Sequence, residues 1–226
     1  MLEAVGFDLD GTLLVADETR ETLLHAACDR VGAPRLSREA YLRAHRAQQG
    51  EADREAVFGA LLTEHGAKTT VDPAELAAAY DALVTEATGP LPGAVDLLER
   101  LCERYRVGLL TDGPVETQRE KLVRAGLEDL FDAVVVTGSL DAPKPDNRAF
   151  ETLCETLDAA PKRTAYVGDA PGPDIAGAAA AGLHAVQVLY EGGPDPHPDA
   201  AATVERAHLA AELPVVLDGL DARDDA

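Results

Sequence analysis

Two aspartates, Asp8 and Asp10, follow an apolar run in AVGFDLDGTLL at residues 4–14. The run predicts a short buried strand, and because side chains along a strand alternate between its faces, both carboxylates should point the same way. Two carboxylates about 6 Å apart repel each other by roughly 3 kcal/mol at an effective dielectric constant near 20. The pair therefore needs a compensating positive charge.

Further polar side chains follow the other strands that the sequence predicts. The carboxyl ends of parallel strands share one edge of a sheet, where open α/β sheets bind ligands. We therefore expect four carboxylates, a hydroxyl and a lysine to converge in one crevice. Beyond the first pair, the candidates are Thr111, Asp112, Gly113, Lys144, Asp169 and Asp174.

The acidic cluster predicts a metal site. Mg²⁺ prefers oxygen ligands and is commonly held together with a substrate phosphate. Lys144 is the one lysine that the sequence pattern assigns to the cluster, so a metal ion is the expected counter-charge. A carboxylate beside a metal can act as a nucleophile, and a second one nearby can transfer protons.

Strands alternating with helices predict an α/β fold with a parallel sheet and helices on both faces. We also expect an edge strand near 203–207, a closing helix at ELPVVLDGL, and frayed residues from 221 onward. The predicted strands are Glu3–Asp8, Arg106–Thr111, Ala133–Thr137, Thr164–Gly168 and His184–Leu189, and the predicted helices are Ala94–Tyr105, Glu116–Ala125, Asp146–Leu157 and Asp174–Ala181.

Between Thr12 and Pro90 the sequence shows only helical patterns. They cover Glu18–Val31, Arg38–Gln48, Arg54–His65 and Pro73–Thr88. This predicts an all-helical insert at residues 15–90, which we call the cap. The α/β core would then comprise residues 1–14 and 91–226.

Charge and composition exclude several classes of protein. The chain has 41 acidic and 20 basic residues and a net charge of −21, which argues against binding to nucleic acids or anionic membranes. Acidic residues spread along the whole chain, with arginine preferred to lysine, resemble the pattern of halophilic proteins.

The three scattered cysteines are expected to be reduced and buried. A cytoplasmic monomer or homodimer is expected.

Four motifs in order resemble the haloacid dehalogenase superfamily of phosphatases. They are DLDGTL at 8–13, TDG at 111–113, KP at 144–145 and GDAPGPD at 168–174. The helical insert after the first motif resembles the small helical cap of the phosphoglycolate-phosphatase-like branch. The resemblance covers essentially the whole chain and implies a Rossmann-like, doubly wound core.

The resemblance also implies roles. Asp8 would attack phosphorus to form an aspartyl-phosphate, and Asp10 would protonate the leaving oxygen and then activate water. Dehalogenases of the superfamily lack this second aspartate, which favours hydrolysis of a small phosphate ester. Thr111 and the backbone amides at 112 and 113 would contact phosphate, as would Lys144. The implied Mg²⁺ ligands are Asp8, the Asp10 carbonyl and Asp169, with Asp174 either as a further ligand or as a support for the others.

Asp112 departs from the family pattern, in which asparagine is usual. A carboxylate facing the phosphate would repel it, so Asp112→Asn is predicted to lower KM about tenfold if the side chain points there. Unchanged kinetics would mean that it points away. The alternatives to a phosphatase are a sugar-phosphate mutase, a dehalogenase, a phosphonate hydrolase, or a regulatory or binding protein with little turnover. The cap would select the substrate, which the sequence does not identify.

Overall fold

The computed structural model describes residues 1–47, 54–64 and 71–224. The chain divides into two compact units: Met1–Val15 together with the chain from Pro90 onward, and Ala16–Gly89. Among the described residues, no helix combines the length and apolar character needed to cross a bilayer.

The first unit is built on a six-stranded parallel sheet flanked by helices. Its strands are β1 Ala4–Phe7, β4 Arg106–Thr111, β5 Ala133–Val136, β6 Thr164–Gly168, β7 His184–Leu189 and β8 Ala202–Glu205, and its helices are α5 Ala94–Cys102, α6 Val115–Ala125, α7 Asn147–Thr156, α8 Gly177–Ala180 and α9 Leu209–Asp224. This confirms the predicted α/β class with a parallel Rossmann-like sheet.

Strand order places β1 at the centre of the sheet. The order is β5-β4-β1-β6-β7-β8, and all the pairs are parallel. The chain leaves β1 toward β4 and β5 and then returns to the other side of β1 with β6. The carboxyl end of β1 is therefore the point where strand order reverses, which is where such sheets form ligand crevices.

Alternation along the central strands builds a hydrophobic core on each face of the sheet. Val5 and Phe7 of β1 join one cluster with residues of α5 and α9. Ala4 belongs to the opposite cluster, which includes Phe150 and Leu153 of α7. Because both faces are covered, most side chains inside the strands are apolar, and the candidate carboxylates Asp8 and Asp169 follow the strand ends.

The second unit is helical and has its own core. Its helices are α1 Arg20–Val31, α2 Arg38–Ala47, α3 Arg54–Glu64 and α4 Pro73–Ala87. Thr19 caps α1 by accepting from the Thr22 amide, and Gly32 ends it with φ of 70°. Asp72 caps α4, which starts with Pro73. The ends predicted at Gln48 and His65 lie outside the described residues.

Three local expectations were wrong. Two short strands, β2 Leu14–Ala16 and β3 Thr88–Pro90, pair in a separate sheet that the sequence pattern did not predict. The helix α9 continues to Asp224, inside the segment expected to fray, and Asp221 within it accepts a hydrogen bond from the Leu2 amide. Cys102 is exposed, whereas Cys28 and Cys154 are buried.

Candidate active site

Lys144 lies at the centre of a buried polar cluster at the carboxyl edge of the sheet. Its Nζ donates to Asp8 Oδ1 at 2.7 Å, to Asp174 Oδ1 at 2.7 Å and to the Tyr166 hydroxyl at 3.1 Å. Tyr166 in turn donates to the Leu110 carbonyl at 2.9 Å. An ammonium group has three protons, so this one is fully used and its position is fixed.

Three carboxylates from two strand ends form a second feature of the site. Oxygen atoms of Asp8, Asp169 and Asp174 lie within 4.8 Å of one another. Asp8 follows β1, and Asp169 follows β6, its neighbour in the sheet. Asp174 lies in the π-helical turn Pro171–Ala176, where its Oδ2 accepts from the Ala170 amide at 2.9 Å. An all-oxygen donor set of this size suits a hard divalent cation.

Burial and crowding disfavour the charged forms of Asp8 and Asp169 when no cation is present. The pKa of Asp8 is raised to about 8, because burial and the Asp174 and Asp169 charges together outweigh the lowering effect of Lys144. Burial, followed by the Asp174 charge, raises the pKa of Asp169 to about 6. Burial alone would lower the pKa of Lys144, but Tyr166, Asp8 and Asp174 raise it well above its ordinary value. One ammonium therefore leaves the cluster short of positive charge.

The turn after β1 brings the backbone close to this cluster. Gly11 has φ of +98°, and a Cβ there would lie 2.6 Å from Asp169 Oδ2. Only glycine combines that backbone conformation with so close an approach. Thr12 donates its hydroxyl proton to Asp169 Oδ1 across a long 3.4 Å contact. Gly11 is therefore required by the geometry of the turn, which also brings the Thr12 hydroxyl toward Asp169.

The Asp112 carboxylate accepts two hydrogen bonds from the protein, which the sequence did not predict. Its Oδ1 accepts from the Thr137 hydroxyl at 2.8 Å and from the Lys144 backbone amide at 3.0 Å. The carboxylate thus joins the ends of β4 and β5 to the segment that carries Lys144. Thr111 is buried at the end of β4, and the following Gly113 has φ of +126°.

Asp10 has two partners that were not among the predicted site residues. Gln118 Nε2 lies 3.0 Å from Asp10 Oδ2, and Lys121 Nζ lies 2.5 Å from the same oxygen. The expectation that one lysine belongs to the cluster is therefore wrong. Gln118 and Lys121 lie three residues apart on the helix predicted after the second motif, and this spacing places them on one face of that helix. The sequence does not show that this face meets Asp10.

Arg206 is a further residue that no local pattern indicated. It follows β8, and its Nη1 donates to the Gly11 carbonyl at 3.3 Å. Its guanidinium carbon stacks 3.9 Å from the centre of the Tyr190 ring. Residues 195 positions apart meet only because β8 lies in the same parallel sheet as β1.

Residues 2–182 match the haloacid dehalogenase-like hydrolase family. The chain belongs to this family. A glyceraldehyde 3-phosphate phosphatase of Methanothermobacter thermautotrophicus is 31% identical over 199 residues, covering 84% of this chain and 87% of the relative. A phosphoserine phosphatase of Thermus thermophilus is 42% identical over 96 residues, which are 41% of this chain and 39% of that protein.

Solved structures of haloacid dehalogenase-like proteins share the fold. A HAD phosphatase from Thermococcus onnurineus superposes with a TM-score of 0.66 at 27% identity, covering 96% of this chain and 99% of that chain. The recognition of the family from its four motifs is thereby confirmed.

Proposed function

We propose that this protein is a Mg²⁺-dependent phosphatase that hydrolyses a small phosphate monoester through a phosphoryl group carried on Asp8. The observation that carries the proposal is the grouping of Asp8 with Asp169, Asp174 and the fully hydrogen-bonded Lys144. The named relatives act on glyceraldehyde 3-phosphate and on phosphoserine, which are both small phosphate monoesters. We assign substrate selection to the helical cap, residues 15–90.

The three carboxylates, of which Asp8 and Asp174 are buried and Asp169 is half-buried, fit a magnesium ion. Asp8, Asp169 and Asp174 would supply side-chain oxygens, and Asp10 would supply its backbone carbonyl. When bound, the ion supplies positive charge to the phosphoryl oxygens. The raised pKa values of Asp8 and Asp169 support this assignment, since a nearby cation would favour their charged forms.

The first chemical step transfers the phosphoryl group to the protein. An Asp8 carboxylate oxygen attacks phosphorus and forms an O–P bond while the bond from phosphorus to the ester oxygen breaks. Asp10 gives its proton to that leaving oxygen, so the alcohol departs neutral. Lys144 keeps its hydrogen bond to Asp8 and places its positive charge beside the phosphoryl group, and the Thr111 hydroxyl holds a phosphoryl oxygen during the transfer.

The second step returns Asp8 to its starting state. Asp10, now a carboxylate, takes a proton from a water molecule, whose oxygen attacks phosphorus. The Asp8–phosphorus bond breaks and inorganic phosphate leaves. Asp8 is again a carboxylate and Asp10 again carries a proton, so each turnover consumes one water molecule and one ester.

Asp8→Asn tests the proposal on a panel of small phosphate esters and on p-nitrophenyl phosphate. Turnover should fall by about a thousandfold or more, because asparagine has a similar shape but is a poor nucleophile. Asp129→Asn, at an exposed position, should leave the rate unchanged. Excess chelator should abolish wild-type activity, and added Mg²⁺ should restore it. A near-normal rate in Asp8→Asn, freshly purified and checked for deamidation, would refute the role of Asp8 as the nucleophile. A near-normal wild-type rate in excess chelator would refute the role of the metal.

A further inference from the structure

Helix α6 presents two donors to a single carboxylate oxygen of Asp10. Gln118 Nε2 is 3.0 Å and Lys121 Nζ is 2.5 Å from Asp10 Oδ2. Gln118 is buried, and the Lys121 and Asp10 side chains are 29% and 33% exposed. Since α6 starts directly after the Thr111–Gly113 motif, the phosphate-binding segment and these donors are parts of one continuous element.

Gln118 also connects Asp10 to the phosphate-binding threonine. Its Nε2 lies 2.6 Å from Thr111 Oγ1 and 2.7 Å from the Asp112 carbonyl. The Asp10 carboxylate and the Asp112 carbonyl can only accept, which fixes the orientation of the amide with nitrogen toward them, and its two N–H protons are shared among the three oxygens. Because Thr111 accepts from Gln118, its own hydroxyl proton remains for another acceptor, such as a phosphoryl oxygen.

The scarcity of lysine draws attention to Lys121. Lysine occurs in the chain at positions 68, 121, 144 and 162. Of the three lysines that the structure describes, Lys121 and Lys144 contact carboxylates at the candidate active site.

We propose that Lys121, assisted by Gln118, is a positioning residue that holds the Asp10 carboxylate where it can exchange protons with the leaving oxygen and with water. This inference rests on the proposed phosphatase function and deepens it. With one carboxylate oxygen fastened by two donors on a rigid helix, the plane of the Asp10 carboxylate is set before substrate binds. Misplacing a catalytic group by about 1 Å can cost a hundredfold in rate.

Lys121→Met should therefore separate two substrates that differ in their leaving group. A nitrophenolate departs without a proton, so phosphorylation of Asp8 by p-nitrophenyl phosphate should survive and kcat/KM should change by less than about threefold. An alkyl phosphate such as glycerol phosphate needs the Asp10 proton, so its kcat/KM should fall by about tenfold to a hundredfold. Hydrolysis of the phosphorylated protein needs Asp10 as a base, so kcat should fall for both substrates and KM should not rise.

Pre-steady-state kinetics give a direct readout of the same effect. Mixing Lys121→Met with p-nitrophenyl phosphate should release close to one equivalent of nitrophenolate in a burst, followed by slow turnover. Lys121→Arg keeps a cationic donor and should restore most of the steady-state rate. Lys162→Met removes an exposed lysine away from the cluster and should behave as wild type.

The possible negative results distinguish an error in the role of Lys121 from an error in the proposed function. Equal losses of kcat/KM for both substrates, or no loss for either, would refute the positioning role while leaving the phosphatase assignment intact. A raised KM for both substrates would show that Lys121 acts as a charge for phosphate binding, which also overturns the proposal. If wild-type protein failed to hydrolyse any phosphate ester with Mg²⁺, the proposed function would be wrong and the role of Lys121 would fall with it.

Discussion

The carboxylate of Asp112 binds other parts of the protein. Its residue type alone suggested a negative charge beside an anionic substrate. Its Oδ1 instead receives the Thr137 hydroxyl and the Lys144 amide, at 2.8 and 3.0 Å. The backbone of Lys144 is thus held by the side chain at the position where asparagine is usual. An asparagine oxygen would accept the same two hydrogen bonds.

We therefore expect Asp112→Asn to change kcat and KM by less than about threefold for both aryl and alkyl phosphates, well short of the tenfold effect of a charge facing the phosphate. Asp112→Ala removes the acceptor for two donors and should lower the free energy of unfolding by about 1–3 kcal/mol. Steady-state kinetics and denaturant titration of both variants measure these effects. A large drop in KM for Asp112→Asn would show that the carboxylate acts on the substrate after all.

At the scale of elements, sequence patterns located the parallel strands because each is an apolar run ended by a polar residue. They did not find β3, since its sequence TGP contains glycine and proline, which are uncommon inside strands, and they did not find β2, since its sequence LVA is only three residues long. The candidate residues Asp8 and Asp169 were found because they follow strands. Lys121 was missed because the contact depends on which face α6 turns toward β1, and no local signal specifies that.

Pro214 inside α9 is an element-scale irregularity with a visible compensation. A proline has no N–H, so the carbonyl of residue 210, four positions earlier, loses its helical donor. Arg100 of α5 supplies one instead, with its Nη2 at 2.7 Å from the Ala210 carbonyl. The arginine thus satisfies an acceptor that the helix itself leaves open.

A double-mutant cycle tests this pairing. Arg100→Met should lower the free energy of unfolding by about 1 kcal/mol, and by less in a Pro214→Ala background, where the new N–H can serve Ala210. Arg104→Met is the matched control, because Arg104 binds Asp218 of the same helix at 2.7 Å and does not serve Ala210. Its effect should be equal in both backgrounds. If Arg100→Met had the same effect in both backgrounds, Arg100 would not be compensating for the missing N–H of Pro214.

At the scale of the whole molecule, a net charge of −21 on 226 residues must weaken the folded state through self-repulsion. The helix α7 shows the problem locally, because exposed Glu151 and Glu155 stand four residues apart on it. Like charges at this spacing destabilise a helix by about 0.2–0.5 kcal/mol. Such repulsion is relieved when the Debye length falls from about 8 Å at 0.15 M salt to about 3 Å at 1 M.

The melting temperature should therefore keep rising as KCl increases from about 0.15 M to about 2 M, well beyond physiological ionic strength. Glu151→Gln combined with Glu155→Gln should raise the melting temperature at low salt and shrink the gain from KCl, because part of the repulsion is already gone. Sucrose is the control, since it stabilises by exclusion from the protein surface without screening charge, and should help wild type and the double variant equally. A wild-type melting temperature that is flat or falls between low and molar KCl would refute the halophilic interpretation of the composition. An unchanged KCl gain in the double variant would show instead that repulsion along α7 contributes nothing to it.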